Sequence, residues 1–304
     1  MSHLQKLLTS FCIVAILILS LGLSTAWAEP VERSVSPSQA VFQTGIAAFQ
    51  SEDYQRATEA FTQVIQQQPD FAPAYSNRCL THLVLNQYQQ AIADCTQGLQ
   101  LDPTHAEFYL NRGLAYDRLG EYQNAVADYN QLLQLQPHDY RAYYNRGLAQ
   151  VALGEKIAAL ADYNQSLQYT PSSSTLQRAD ILNDRGVVYL QLQEPQHAIA
   201  DFTQAITLNA DDARAYFNRA CACHYEGDFA AAFHDFDQVL ALSPNHAQTY
   251  FNRGVMHYQM GNVGEAIADL QQAAQCFHEQ GETIAYQNTL HVLEQMQTTP
   301  SAFA

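Results

Sequence analysis

Positive charge is scarce in this chain of 304 residues, and lysine is its rarest source. Lys6 and Lys156 are the two lysines, and 14 Lys and Arg residues stand against 30 Asp and Glu residues, which gives a formal net charge of −16. Such a surface repels the phosphate backbone of nucleic acids and anionic lipid headgroups. We therefore expect no nucleic-acid partner and no membrane binding beyond an N-terminal signal or anchor, whereas basic partners are favoured.

The sequence also lacks the patterns from which an active site could be built. No strand is evident, so no glycine-rich phosphate loop follows one, and the 11 histidines are scattered without a consistent partner. Cys221, Cys223 and His224 lie close together, but the two cysteines point to opposite sides of a helix and cannot close on one metal ion. We predict a protein that is not an enzyme, with no cofactor and no metal.

One long apolar run occurs, near the amino terminus. Residues 11–23 are largely apolar, Lys6 precedes them, and Ala26-Trp27-Ala28 follows. This arrangement predicts a signal peptide over residues 1–28 that is cleaved before Glu29. The run is shorter than the about 20 apolar residues that a membrane span needs. An uncleaved N-terminal anchor facing the periplasm is the alternative interpretation.

The expected location is therefore outside the cytoplasm. The many Gln residues and the recurring Asn-Arg-Gly triplets resemble those of bacterial, and especially cyanobacterial, repeat proteins. An exported protein of that kind would reside in the periplasm or in the thylakoid lumen.

What the sequence has in abundance is self-similarity at a period of 34 residues. Prolines and tyrosines recur at this step, and one irregular step of 39 residues is absorbed by the polar stretch 172–175. Such a period indicates stacked structural repeats rather than ordinary domains. The clearest series is formed by seven alanines: Ala57, Ala91, Ala125, Ala159, Ala198, Ala232 and Ala266.

Within one unit the spacing is helical. Tyr109, Gly113 and Tyr116 share one stripe, and a second stripe begins at Ala125. Leu119-Gly120-Glu121 between them is typical of a helix end and a tight turn. Each unit is thus a helix–turn–helix that cannot bury its apolar stripe alone, so stacking on its neighbours is required.

The pattern Tyr109-x2-Arg112-Gly113-x2-Tyr116, followed by Ala125-x3-Tyr129 and Pro137, resembles the tetratricopeptide repeat. The resemblance implies an all-α, right-handed solenoid of seven helical hairpins. A non-repeating segment, 282–297, carries Tyr286, Leu290 and Leu293 on one face and is predicted to be a capping helix. Residues 29–37 form a linker and 298–304 a loose tail. The seven units span about 38–71, 72–105, 106–139, 140–173, 179–212, 213–246 and 247–280.

Arginine and aspartate recur in register, each aspartate 16 residues after its arginine. In an antiparallel hairpin the two stand level, although the aspartate of the preceding unit would also be within reach. The first repeat has Thr44 and Ala60 at these positions, so both partners are absent together. We therefore predict structural ion pairs inside each hairpin. The arginines are Arg78, Arg112, Arg146, Arg185, Arg219 and Arg253, and their aspartates are Asp94, Asp128, Asp162, Asp201, Asp235 and Asp269.

An amide precedes almost every one of these arginines. In tetratricopeptide repeats the first helix of each unit lines the concave groove, so the resemblance implies a ladder that binds the main chain of an extended peptide. Asparagines that only bond neighbouring helices are the alternative. The column is Asn77, Asn111, Asn145, Asp184, Asn218 and Asn252, and beside it lie Leu110, Tyr144, Phe217 and Phe251, which suggest apolar pockets.

These features favour a scaffold that binds an extended segment of partner protein in its concave groove, with a role in complex assembly. A structural or self-associating solenoid that uses its convex face or its ends is the second hypothesis. The single lysine that follows the leader, Lys156, lies at a turn between helices, so a lysine clamp for a partner's terminal carboxylate is not expected.

Cys79 and Cys95 occupy facing positions in the second repeat, where the family pattern has a glycine and a large residue. In an exported protein they could form a disulfide. Two buried free thiols are the alternative, and the sequence leaves both open.

Overall fold

The computed structural model describes residues 36–298, with side chains as far as Met296. This part of the chain contains 15 α-helices and no strand. The predicted signal peptide, most of the linker and the tail from residue 299 onwards lie outside the described residues. None of the described helices is long and apolar enough to cross a bilayer.

The chain divides into two compact units at Pro137. The described part of the first unit contains three antiparallel hairpins, each packed on the next. Its helices are α1 (Pro37–Gln50), α2 (Tyr54–Gln67), α3 (Ala72–Val84), α4 (Tyr88–Leu101), α5 (Ala106–Leu119) and α6 (Tyr122–Leu135).

The second unit begins at His138 and contains four hairpins and a final single helix. The all-α class predicted from the repeat period is thereby confirmed, with seven hairpins and a C-terminal helix. The helices are α7 (Tyr140–Ala152), α8 (Lys156–Tyr169), α9 (Thr175–Gln191), α10 (Pro195–Leu208), α11 (Ala213–Glu226), α12 (Phe229–Leu242), α13 (Ala247–Gln259), α14 (Val263–Glu279) and α15 (Thr283–Thr298).

The turn inside each hairpin passes through the left-handed region of backbone space. Gly120 closes α5 with φ 77° and Gly227 closes α11 with φ 80°. Glycine is suited to this position because it has no Cβ to clash. After Gly227 the next helix starts on a capped end, where the Asp228 side chain accepts a hydrogen bond from the backbone N–H of Ala231 at 3.1 Å.

Six of the seven hairpins are closed by a small residue on the first helix and a large one on the second. A Cβ added to Gly113 would lie 2.6 Å from the Tyr129 ring, and Gly147 stands in the same relation to Tyr163 at 2.7 Å. All seven alanines of the repeat series are fully buried. The period seen in the sequence is therefore the period of close helix–helix contact.

Helix α15 covers the last hairpin. Leu293 and Met296 pack against Leu270 of α14, and both are less than a tenth exposed. Leu290, which the helical spacing places on the covered face, is 38% exposed, and Thr289 is fully buried instead. The buried stripe of the helix therefore runs through Thr289, Leu293 and Met296, with Leu290 beside it, and the Thr289 hydroxyl donates to the carbonyl of Ala285 at 2.8 Å.

Candidate functional site

The structure brings every ladder arginine to the aspartate of its own hairpin. Each pair is bidentate, as between Arg112 and Asp128, where Nε–Oδ2 is 2.8 Å and Nη2–Oδ1 is 2.7 Å. The bonded Asp128 carboxylate raises the pKa of Arg112 above its ordinary value. The six aspartates are between 1% and 8% exposed, so these are largely desolvated pairs. The other five pairs join Arg78–Asp94, Arg146–Asp162, Arg185–Asp201, Arg219–Asp235 and Arg253–Asp269.

A third bond from the arginine, which the sequence argument missed, reaches the preceding hairpin. Nη1 of Arg112 donates to the Thr96 hydroxyl at 3.0 Å, and Nη1 of Arg219 donates to that of Thr203 at 3.1 Å. Each acceptor given below lies two residues after the register position of the ladder aspartate in the previous hairpin, a position that Ala60 holds in the first hairpin. The signal in the sequence was a polar residue at that position: Thr62, Thr96, Asn164, Thr203 and Asp237.

Three asparagines of the amide column are engaged within the protein. Asn77 donates to the carbonyl of Pro73 in its own helix at 2.8 Å. Asn218 donates to Oδ1 of Asn183 at 2.9 Å, and Asn252 donates to Sγ of Cys221 at 3.6 Å. Those two bonds each join neighbouring hairpins, which is the second of the two roles that the sequence left open.

Asn111 and Asn145 differ from the rest of the column. They are 6% and 9% exposed, and neither side chain makes a hydrogen bond to another described residue. A buried amide is normally paired, because leaving it unpaired costs free energy. Asn111 on α5 and Asn145 on α7 are therefore the members of the column with capacity for a ligand.

The fifth repeat departs from the column in two adjacent positions. Asp184 stands where repeats two, three, four, six and seven have asparagine, and Asn183 stands where repeats three, four, six and seven have Leu, Tyr or Phe. The Tyr144 hydroxyl donates to Oδ2 of Asp184 at 2.6 Å, across two successive hairpins. Burial raises the pKa of Asp184, an effect that the bond from Tyr144 and the nearby Arg214 partly offset.

The residues expected to line apolar pockets are largely occupied by contacts inside the protein. Leu110 is 5% exposed, and the Phe217 ring packs against those of Phe236 and His246 with centroids 6.0 and 5.3 Å apart. Phe251 packs on the core beneath α15. On α7, the apolar side chain that remains open is Leu148, which is 38% exposed.

Asp117, near the end of α5, is an unusual carboxylate. Its Oδ2 accepts from the Tyr129 hydroxyl at 2.5 Å, while its Oδ1 is enclosed without a hydrogen-bond partner among the described residues. Burial raises its pKa to about 6, although the Tyr129 bond and the charge of Arg118 act in the opposite direction. This group is therefore a candidate for titration near neutral pH.

Sequence models described as tetratricopeptide repeat match residues 39–70, 72–105, 106–139, 140–173, 179–212 and 219–285. Together these segments cover well over half of the chain. The chain belongs to the tetratricopeptide repeat family. Among curated protein sequences there is no match.

Several solved tetratricopeptide repeat structures have a similar fold. YrrB, described as a tetratricopeptide repeat protein with an unusual peptide-binding site, is 24% identical with a TM-score of 0.54, over 66% of this chain and 97% of its own. A repeat protein from Parabacteroides merdae is 20% identical with a TM-score of 0.63, over 83% and 98%. PilW, a type IV pilus biogenesis factor, is 20% identical with a TM-score of 0.60, over 68% and 94%.

Two positions of the tetratricopeptide repeat carry different chemistry in the second hairpin. Cys79 and Cys95 are joined by a disulfide with a Cα–Cα distance of 5.7 Å, and both are fully buried. They replace the glycine and aromatic residue that close other hairpins of the chain. Among the described residues the free cysteines are Cys221, Cys223 and Cys276, and burial raises the pKa of the Cys221 thiol to about 11.

Proposed function

We propose that this tetratricopeptide repeat protein is a non-catalytic scaffold that binds an extended segment of a partner protein in the concave groove lined by its first helices. The observation that carries the proposal is one unbonded amide in each unit, Asn111 on α5 of the first and Asn145 on α7 of the second, in a column whose other asparagines are engaged. The peptide-binding site for which YrrB is described supports it.

An asparagine amide can donate and accept at once, which matches the alternating N–H and C=O groups of an extended backbone. Asn111 and Asn145 can do so without giving up a bond inside the protein. Each such bond is worth about 0.5–1.5 kcal/mol. A ligand that spans several repeats would add contacts to exposed apolar side chains such as Leu148. We further propose that the scaffold acts in assembly of a complex, as the biogenesis role of PilW suggests.

The experiment compares capture by immobilised wild type, Asn111→Ala, Asn145→Ala and the double variant, using the exported fraction of the native host and mass spectrometry. The matched control is Asn77→Ala, which removes an amide already bonded to its own helix. We expect the double variant to lose partners that wild type and control retain, with equal helicity by circular dichroism. Capture by the double variant at the wild-type level would overturn the groove model.

Export is part of the proposal. A signal over residues 1–28 would deliver the protein to the periplasm or thylakoid lumen, where a disulfide such as Cys79–Cys95 persists. N-terminal sequencing of the protein isolated from its host should begin at Glu29. An intact leader on membrane-associated protein would instead indicate the uncleaved anchor.

Self-association through an end of the repeat array is the second candidate, favoured by apolar side chains on α15. Ile284 is 79% exposed and Leu290 is 38% exposed. Sedimentation velocity over a range of concentrations tests it: a species that grows with concentration and is lost in Ile284→Glu supports self-association, and a constant monomer excludes it.

A further inference from the structure

An excess of carboxylates marks the groove side of the fifth hairpin. Asp180 and Asp184 lie four residues apart on α9, so they share one face of the helix. Nη2 of Arg214 lies 2.7 Å from Oδ1 of Asp180 and 2.9 Å from Oδ2 of Asp212. One guanidinium thus pairs with two carboxylates, its charge also lowers the pKa of Asp184, and its own side chain is 43% exposed.

This arrangement is confined to one hairpin of the second unit. The register position of Asp180 holds Arg141, Arg214 and Gln248 in the other three hairpins. The register position of Asp184 holds asparagine in each of them. The two substitutions together place two negative charges where the neighbouring hairpins have neutral or positive side chains.

The Asp184 carboxylate is only partly satisfied. It accepts a hydrogen bond from Tyr144 at 2.6 Å and a long one from Asn183 at 3.4 Å, although an ionised carboxylate offers about four acceptor sites. Burial raises its pKa, and the charge of Asp180 adds to that effect. A second cation beside this pair would offset both the desolvation and the repulsion.

An independent feature lies one hairpin earlier. Asn145 precedes Arg146 as Asp184 precedes Arg185, so the two hold the same register position on successive first helices. Asn145 is 9% exposed and bonds no described residue. Leu148, one turn further along α7, is exposed and offers an apolar surface for an alkyl stem.

We propose that the groove of the second unit selects a lysine or arginine side chain of the bound segment, with its cation against Asp180 and Asp184 and its neighbouring backbone on Asn145. This inference rests on the proposed function, because it names the kind of segment that the groove takes. The net charge of −16 favours the same class of partner over long range.

The probe is a fluorescein-labelled nine-residue peptide of threonine and valine with one central lysine, followed by fluorescence anisotropy at low ionic strength. Otherwise identical peptides carry norleucine or glutamate at the centre. We expect the lysine peptide to bind about 10-fold more tightly than the norleucine peptide, and the glutamate peptide to bind most weakly. Added salt should reduce the lysine preference.

The variants are Asp180→Asn and Asp184→Asn, and in the latter an amide oxygen can still accept from Tyr144. Both should bring the lysine and norleucine affinities within about threefold of each other. The matched control is Glu265→Gln on α14, a second helix, which removes the same charge and should retain the preference. Thermal melts of all variants verify folding.

Asn145→Ala separates this inference from the proposed function. It should weaken all three peptides alike, because it removes a backbone contact. Equal binding of the three peptides by wild type, or tighter binding of the glutamate peptide, would overturn the basic preference and leave the groove model intact. If wild type binds none of the three peptides, the basic preference is also overturned. The scaffold proposal is then tested separately, by the partner-capture experiment.

Discussion

Arg112 donates to both carboxylate oxygens of Asp128 within one hairpin, at 2.8 and 2.7 Å. Because Asp128 is 4% exposed, neither charge can regain full hydration if the other is removed. Nη1 of Arg112 donates to the Thr96 hydroxyl of the hairpin before. A single side chain therefore fixes the hairpin and its contact with the preceding one.

Removal of Asp128 should be costly. We expect Asp128→Ala to lower the free energy of unfolding by about 3–5 kcal/mol, because it leaves the partly buried Arg112 charge uncompensated. Thr96→Val, the control, removes only the bond between hairpins and should cost about 0.5–1.5 kcal/mol. Urea unfolding followed by circular dichroism measures both, and a loss below about 1 kcal/mol for Asp128→Ala would show that solvent screens the pair.

Gly113 is required by packing rather than by backbone conformation. A Cβ there would lie 2.6 Å from the Tyr129 ring, so Gly113→Ala should destabilise by about 1–3 kcal/mol. Gly264, in the first turn of α14, has open space around its Cβ position, and Gly264→Ala should leave stability equal or slightly raised. Equal melting temperatures for the two variants would contradict this assignment.

The disulfide should make the first unit sensitive to reductant. Its cysteines are 16 residues apart, and closing a loop of that size contributes about 3 kcal/mol, so the midpoint of urea unfolding should fall in the presence of a phosphine reductant. The control is the double substitution Cys79→Gly with Cys95→Tyr, which restores the pair found in the Gly113 hairpin. It should unfold at the same midpoint with and without reductant.

Asp117 should make stability depend on pH in the acid range. Its pKa in the folded state, about 6, exceeds its ordinary value of 3.8, so the folded protein binds the proton more tightly than the unfolded chain. The stabilisation that protonated Asp117 gives the folded state is therefore complete below about pH 4. It is lost as the pH rises through about 6, which lowers the free energy of unfolding by on the order of 1–2 kcal/mol. The free energy of unfolding, measured at pH 4, 5, 6 and 7, should increase for Asp117→Asn relative to wild type as the pH rises. A constant difference between the two proteins would refute the raised pKa.

The fold could be predicted from the sequence because the packing and turn requirements of one hairpin recur in the next. Each hairpin has a turn with positive φ, and all but the second have a small residue opposite a large one, so these features appear as columns at a spacing of mostly 34 residues. The partners of Arg112 and the other ladder arginines inside the hairpins could be placed for the same reason, since register alone sets residues 16 apart level with each other.

The state of each asparagine could not be predicted in this way. Whether the amide is engaged depends on the neighbouring hairpin: Asn218 is bonded because Asn183 replaces an apolar residue, and Asn252 because Cys221 lies within reach. The Asn145 side chain forms no hydrogen bond with another described residue. The partner residues in these contacts vary from repeat to repeat. The repeating columns of the sequence therefore do not predict which asparagines are bonded. The orientation of α15 escaped prediction similarly, because it packs on one hairpin and has no repeat partner.

The third bond of the ladder arginines gives the array a direction. In the second unit, Arg185, Arg219 and Arg253 each depend on an acceptor in the hairpin that precedes them in the chain. During synthesis the amino-terminal hairpin emerges first, so every new arginine meets an acceptor that is already in place. Because of this direction, truncation affects the two ends differently. Removing hairpins from the carboxyl end leaves the remaining arginines with all their bonds. Removing them from the amino end deprives the arginine of the new first hairpin of its acceptor.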